Sequence, residues 1–286
     1  MINALTFDVE EYFHAETFAL AVSPEDWPTL ESRVVRTTER ILELLAEAGT
    51  RATFFVLGWV AERHPALIRS IEGQGHEIAC HGYGHQMITR QSRAEFTVDL
   101  ERAKATVEDA AGTAVIGYRA PTFSVLRETL WSLEVLAEKG FRYDSSIFPI
   151  VHDRYGIPDA PRFPHRRAVR PGVTIAEFPL STVSRFGWRF PVAGGGYFRL
   201  LPYSVTAWAL RRLNREEGQP AIVYLHPWEI DPGQPRLPVS RSSQFRHAVN
   251  TWRTESKLRR LLREFRFAPV QEVLAASGVL AAGVRS

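Results

Sequence analysis

Short apolar runs alternate with helical patterns from end to end, and this alternation constrains the fold more than any other feature of the sequence. Residues 4–7, 52–57, 76–79, 115–118, 141–144, 174–178 and 221–225 read as strands, each short and rich in β-branched or aromatic side chains. Helical patterns over 37–48, 94–111 and 128–139 lie between them, and each stops at a glycine. A repeated β-then-α order predicts an α/β fold around a parallel sheet of about seven strands, closed as a barrel or open and doubly wound. Two proline- and glycine-rich stretches, 148–173 and 179–202, break the pattern and are expected to be long loops at strand carboxyl ends that wall a substrate groove. The tail spaces Trp252, Leu258, Leu261, Leu262 and Phe265 as a helix and adds a short helix over 270–276. The expectation is one domain over 1–286, with a core at about 4–230 and a helical extension over 231–286 packed on it.

With 286 residues, 45% of them hydrophobic, the chain can bury a large core, and its net charge of +3 is spread without basic blocks, which argues against a nucleic-acid partner. Cys80 is the only cysteine, so neither an internal disulfide nor a cysteine-based metal cluster can form. The first residues reach a strand and then acids at once, unlike a signal peptide, and no apolar run approaches the ~20 residues of a membrane span. A cytoplasmic protein without a membrane span is expected.

His81 and His85 stand four apart in a glycine-rich run, Gly75-His76-Glu77-Ile78-Ala79-Cys80-His81-Gly82-Tyr83-Gly84-His85. On a continuing strand they would lie ~13 Å apart, too far to share one ion through bonds of ~2 Å. The chain must therefore curl after the strand, and Gly82 and Gly84 supply the freedom to do so. Asp8 and Glu10, two apart at the end of the first strand, share one face while Val9 points the other way. A hydrolytic metal centre needs one such group to hold the ion and another to take a proton from water. Later strand ends add Arg119, which could keep Asp8 ionised, and a turn after Pro121 that could aim the Thr122 N–H at an oxyanion. They also add Asp144, a carboxylate suited to orienting an imidazole, and His226, placed where a general acid would meet a leaving nitrogen.

Taken in order, Thr6-Phe7-Asp8-Val9-Glu10, His81-x3-His85, Arg119-x-Pro121, Asp144-Ser145-Ser146 and Leu225-His226 resemble the five motifs of the NodB-homology polysaccharide deacetylases. The segments HDRYGIPDAPRFPHR (152–166), HPWEID (226–231) and FRHAVNTWRT (245–254) resemble the subgroup found with exosortase-linked exopolysaccharide loci. This resemblance implies a distorted (β/α) barrel and metal-dependent removal of N-acetyl groups from an amino-sugar oligo- or polysaccharide. It further implies Asp8 as catalytic base, His226 as catalytic acid, Arg119 and Asp144 as the groups that orient them, and His81 and His85 as ligands of one divalent ion, zinc. Many relatives place a second, metal-binding aspartate directly after the first. Val9 cannot ligate, so Glu10 becomes the expected third ligand. Tyr197, Phe198 and Trp228 are the candidates for stacking on sugar. Two rival readings are an amidohydrolase of a small or cyclic amide on the same barrel and a non-catalytic carbohydrate-binding relative.

Overall fold

The computed structural model describes residues 1–19 and 21–280, so the last six residues of the expected extension lie outside the described residues. All seven expected strands are present, and four more join them: β1 (Ile2–Val9), β2 (Thr53–Val56), β3 (Glu77–Cys80), β4 (Gly117–Tyr118), β5 (Tyr143–Asp144), β6 (His165–Arg170), β7 (Val173–Glu177), β8 (Thr182–Arg185), β9 (Trp188–Pro191), β10 (Ile222–Leu225) and β11 (Arg266–Ala268). The helices are α1 (Val34–Glu47), α2 (Gly58–Arg63), α3 (Pro65–Gly73), α4 (Arg93–Ala111), α5 (Trp131–Glu138), α6 (Gly195–Leu200), α7 (Tyr203–Arg215), α8 (Arg241–Ala248), α9 (Thr251–Glu264) and α10 (Val270–Ala276). Helix α4 shows why the boundaries fall where they do. Ser92 and Glu95 cap each other's backbone at its start, and Gly112 takes a left-handed conformation at its end.

The sheet runs β10-β1-β2-β3-β4-β5-β7 with every pair parallel; β6 adds antiparallel to β7, and β11 pairs with β1. The space between β7 and β10 is crossed by irregular chain. Val192 N–H donates to Ser181 O, Ile222 N–H to Ser181 Oγ and Tyr224 N–H to Ala193 O, all at 2.8–3.1 Å. Gly194 makes this approach possible, because a Cβ there would stand 1.9 Å from the Tyr224 carbonyl oxygen. The outcome is the distorted α/β barrel that the resemblance implied, one of the two arrangements the alternation left open.

Alternation along the strands sorts side chains into two cores. Leu5, Phe7, Val9, Phe54, Val56, Ile78, Cys80, Val223 and Leu225 face outward and pack with Ile41, Leu45, Ile68 and Leu100 of the helices. Ala4, Phe55, Ala79, Tyr143, Ala176, Ile222 and Tyr224 fill the interior, which α10 plugs from below with Val270, Val273 and Leu274. The carboxyl end of the interior is thereby left to polar side chains.

The stretches expected to be irregular are partly ordered. Residues 148–173 contain β6, whose sequence His-Arg-Arg-Ala-Val-Arg lacks an apolar alternation because it is an edge strand with no fully buried residue. Residues 179–202 contain the β8–β9 hairpin, turned by Phe186 and Gly187 at φ of 51° and 78°, and helix α6 follows. In the tail, β11 was not expected. No helix among the described residues is long and apolar enough to cross a membrane.

Candidate metal centre

The site lies at the carboxyl end of the interior. Inward-facing positions of β1 continue from Ala4 and Thr6 to Asp8 and Glu10, those of β3 from Ala79 to His81, and those of β10 from Tyr224 to His226. Parity therefore brings four polar groups to one place before any loop contributes. The loop after β3 adds the fifth. Gly82, at φ +77°, turns the chain, and His85 itself is left-handed at φ +50°; Gly84 is not in that region, so the curl rests on Gly82 and on strain at His85. The turn is pinned by Gly58 N–H and Trp59 N–H donating to the carbonyls of Gly82 and Tyr83, and by Tyr83 N–H donating to Asp99.

Glu10, His81 and His85 each offer one ligand atom, all within 4.8 Å of one another. Oε2 of Glu10 lies 2.7 Å from Nε2 of His85 and 4.0 Å from Nε2 of His81. That oxygen is buried and has no hydrogen bond, whereas Oε1 accepts from Trp228 Nε1 at 3.1 Å. His81 Nδ1 lies 2.8 Å from the Arg119 carbonyl, which fixes the proton on Nδ1 and leaves Nε2 as a lone pair. Burial holds the His81 imidazole down at about 4, despite the opposing pull of Asp8 and Glu10, so it is neutral. An anionic oxygen and two imidazole nitrogens that converge in this way fit one divalent cation.

Asp8 is distinct from this set. Its Oδ1 accepts from Arg119 Nη1 at 2.7 Å, and Arg119 is itself wholly buried, donating further to Thr6 Oγ1, Ser145 O and Ser145 Oγ. Oδ2 is 3.9 Å from His226 Nε2. A carboxylate paired with a buried guanidinium, beside the ligand set, is placed to accept a proton from water.

His226 does not use the partner expected of it. Asp144 instead accepts from Ser146 Oγ at 2.6 Å and shares a hydrogen bond with Glu177, and burial pushes both carboxyls upward. The His226 imidazole lies 2.6 Å from Glu229 Oε1, and Arg199 Nε donates to Glu229 Oε2 at 2.8 Å. The physical reason is reach: residue 229 closes one short turn after 226, whereas Asp144 ends β5 and faces Glu177 across the β5–β7 ladder. Burial would lower the His226 pKa, but Glu10, Glu229 and Asp8 outweigh it and lift the imidazole to about 9. The only sequence signal for Glu229 is its place in His226-Pro227-Trp228-Glu229. Arg199 gave none, being one arginine among many.

The other candidates divide. Thr122, left-handed at φ +55°, and Tyr197 line the cleft, and Tyr197 is hydrogen-bonded to Tyr155. Trp228 also lines it, but its indole is stacked on the imidazoles of His226 and His247 at 4.9 and 4.2 Å, so it braces His226 and offers little free face to a sugar. Phe198 is a core residue. Glu11 caps α1, accepting from the backbone of Arg33 and Val34 and from Ser32 Oγ, while Glu16 pairs with Arg90. His14, unremarked in the sequence, is buried beside His85 and held neutral by burial.

Residues 4–143 match the family model described as polysaccharide deacetylase, and residues 145–275 match a domain of unknown function, DUF3473. Among curated proteins, the chain is 27% identical over 154 residues to the peptidoglycan-N-acetylglucosamine deacetylase of Bacillus cereus, covering 48% of this chain and 54% of that protein. It is 32% identical over 110 residues to the peptidoglycan deacetylase-like protein FGM2 of Gibberella zeae, covering 38% and 32%. The chain thus spans about a third to a half of the length of these relatives. A crystal structure of a Mycobacterium smegmatis protein assigned to the polysaccharide deacetylases shares the fold, with a TM-score of 0.64 and 23% identity over 100% of this chain and 93% of the other.

Proposed function

We propose that the chain, whose residues 4–143 match the polysaccharide deacetylase model and whose residues 145–275 match DUF3473, hydrolyses the N-acetyl group of an amino sugar in an oligo- or polysaccharide and releases acetate. The observation that carries this reading is the joint placement of three converging ligand atoms, a base on Arg119 and an imidazole on Glu229. Exopolysaccharide synthesis is the setting inferred from the motifs in the second half of the chain. The two matched segments act as one folding unit in this reading, because β5 of the first pairs with β7 of the second, and β1 pairs with β10 and β11.

Glu10, His81 and His85 would hold the ion, assigned here as zinc, which when bound polarises a carbonyl and lowers the pKa of water to about 7. Asp8 takes the proton of the attacking water, its carboxylate held in place by Arg119. The acetamide carbon becomes tetrahedral, with the Thr122 backbone as the chain's own contribution at the oxyanion. His226, its ring fixed by Glu229, delivers a proton to the sugar nitrogen as the C–N bond breaks. Glu229 leaves Nε2 as the atom that faces the cleft.

Acetate release from N-acetylated oligosaccharides in defined divalent metals tests the reaction. Asp8→Asn is expected to retain metal and lose roughly 10²-fold or more in turnover. Undiminished turnover in that variant would end the base assignment.

A further inference from the structure

The cleft above the ligand set encloses about 420 Å³ and is walled by four segments: residues 15–17, residues 152–155, residues 196–200 and residues 245–247. Its charged side chains sort into those already committed and those that are not. Asp8 is matched by Arg119, Glu10 belongs to the ligand set and Glu16 pairs with Arg90 at 2.5 Å, whereas the exposed Asp153 has beside it only the His152 ring, whose pKa burial lowers. Arg199 is buried on Glu229. Two cations remain. Arg154 and Arg246 are exposed, line the cleft from different walls, and have no ion-pair partner among the described residues.

Both are presented on fixed backbone. The Arg154 N–H donates to His152 Nδ1 at 3.2 Å, and the His152 ring stacks on Tyr155 with centroids 3.8 Å apart, which packs the turn against the cleft wall. The carbonyls of Arg246 and His247 accept from Arg199 Nη1 at 3.1 and 2.6 Å, which ties this end of α8 to the Glu229–His226 pair. A neutral amino-sugar polymer gives two unmatched guanidinium groups nothing to neutralise.

Resting on the deacetylase reading above, we infer that the substrate carries an oxyanion beside its N-acetyl sugar, and that Arg154 and Arg246 recognise it. The oxyanion is the carboxylate of a uronic acid in an acidic polysaccharide or the phosphate of a sugar phosphodiester; guanidinium forks bind both. The two arginines set specificity and take no part in bond breaking.

Three probes separate the cases: N-acetylated chitopentaose as the neutral glycan, a hexasaccharide alternating glucuronate with N-acetylglucosamine, and UDP-N-acetylglucosamine. Binding to Asp8→Asn is measured by calorimetry, and acetate release by the wild-type protein is measured in parallel. One acidic probe is expected to bind about 10-fold more tightly than chitopentaose, an advantage that shrinks in about 0.5 M salt. In Arg154→Gln/Arg246→Gln the ratio falls to near parity. Preference for the uronate probe identifies a polymer, and preference for UDP-N-acetylglucosamine a phosphate-linked sugar. Equal binding of all three, or a preference that survives in the double variant, overturns the inference. Charge-selective binding without acetate release from any probe would overturn the deacetylase reading and leave this one standing; acetate release without charge selectivity would do the reverse.

Discussion

Oε2 of Glu10, buried and without a hydrogen bond, lies 2.7 Å from Nε2 of His85. Two lone pairs at that distance repel, so the contact is stable only with a proton or a cation between them. A metal ion that binds the folded state alone stabilises it by about 2.7 kcal/mol at a hundredfold excess over its Kd. Calorimetric melting should therefore show chelator-treated protein unfolding several degrees below the zinc-loaded form, with Glu10→Gln abolishing most of the difference. A melting temperature indifferent to both chelator and zinc would remove the triad as a metal site.

Val9 sits where many relatives carry a second aspartate, yet its side chain faces the outer core and is fully buried there among apolar neighbours. Val9→Asp should not add a ligand. It should place an unpaired carboxylate in that core and destabilise the fold by about 3–5 kcal/mol, read by urea unfolding. Unchanged stability together with tighter zinc binding would mean that the end of β1 can turn its other face to the site.

The contrast between Glu229 and Asp144 distinguishes the carboxylate that touches His226 from the one that does not. Glu229→Gln should lower kcat by about 10-fold or more with little change in KM, because the imidazole loses the group that orients it and favours its charged form. Asp144→Asn should affect kcat less, since its contacts are Ser146 and Glu177. Steady-state kinetics on one N-acetylated oligosaccharide checks both, and a larger kcat loss for Asp144→Asn would restore the arrangement expected from the motif order.

Much of the site was legible because strand parity is a local property. Asp8 and Glu10 share a face by being two apart on β1, and His226 continues the inward face of Tyr224. What could not be read depends on tertiary position. Asp144 ends a strand as His226 does, but nothing in either segment reveals that β7 places Glu177 opposite Asp144. Trp228 has the composition of a sugar platform, and only the arrival of His247 from α8 shows its ring already stacked. The edge strand β6 was hidden for a different reason: alternation is the sequence signature of one buried face, and β6 has none.

Glu77 supplies a prediction about pH. It points into the lower interior, where Thr53 Oγ1 donates to it at 2.5 Å, Tyr143 OH at 2.8 Å and Gln271 N–H at 3.2 Å. Burial outweighs these donors and raises its carboxyl from 4.5 to about 7. The folded chain then holds a proton that the unfolded chain releases above pH 4.5, so unfolding loses protons and stability falls as pH rises. Its contribution is intact below 4.5, declines through the interval up to 7 and is gone above it, a change on the order of 3 kcal/mol. Glu77→Gln removes this titration while keeping the size of the side chain. Urea unfolding at pH 5 and pH 8 should therefore show wild-type protein losing more stability between the two than the variant does, because every other titrating group is common to both. Equal losses would mean that Glu77 stays ionised in the folded state, with its three donors compensating for burial.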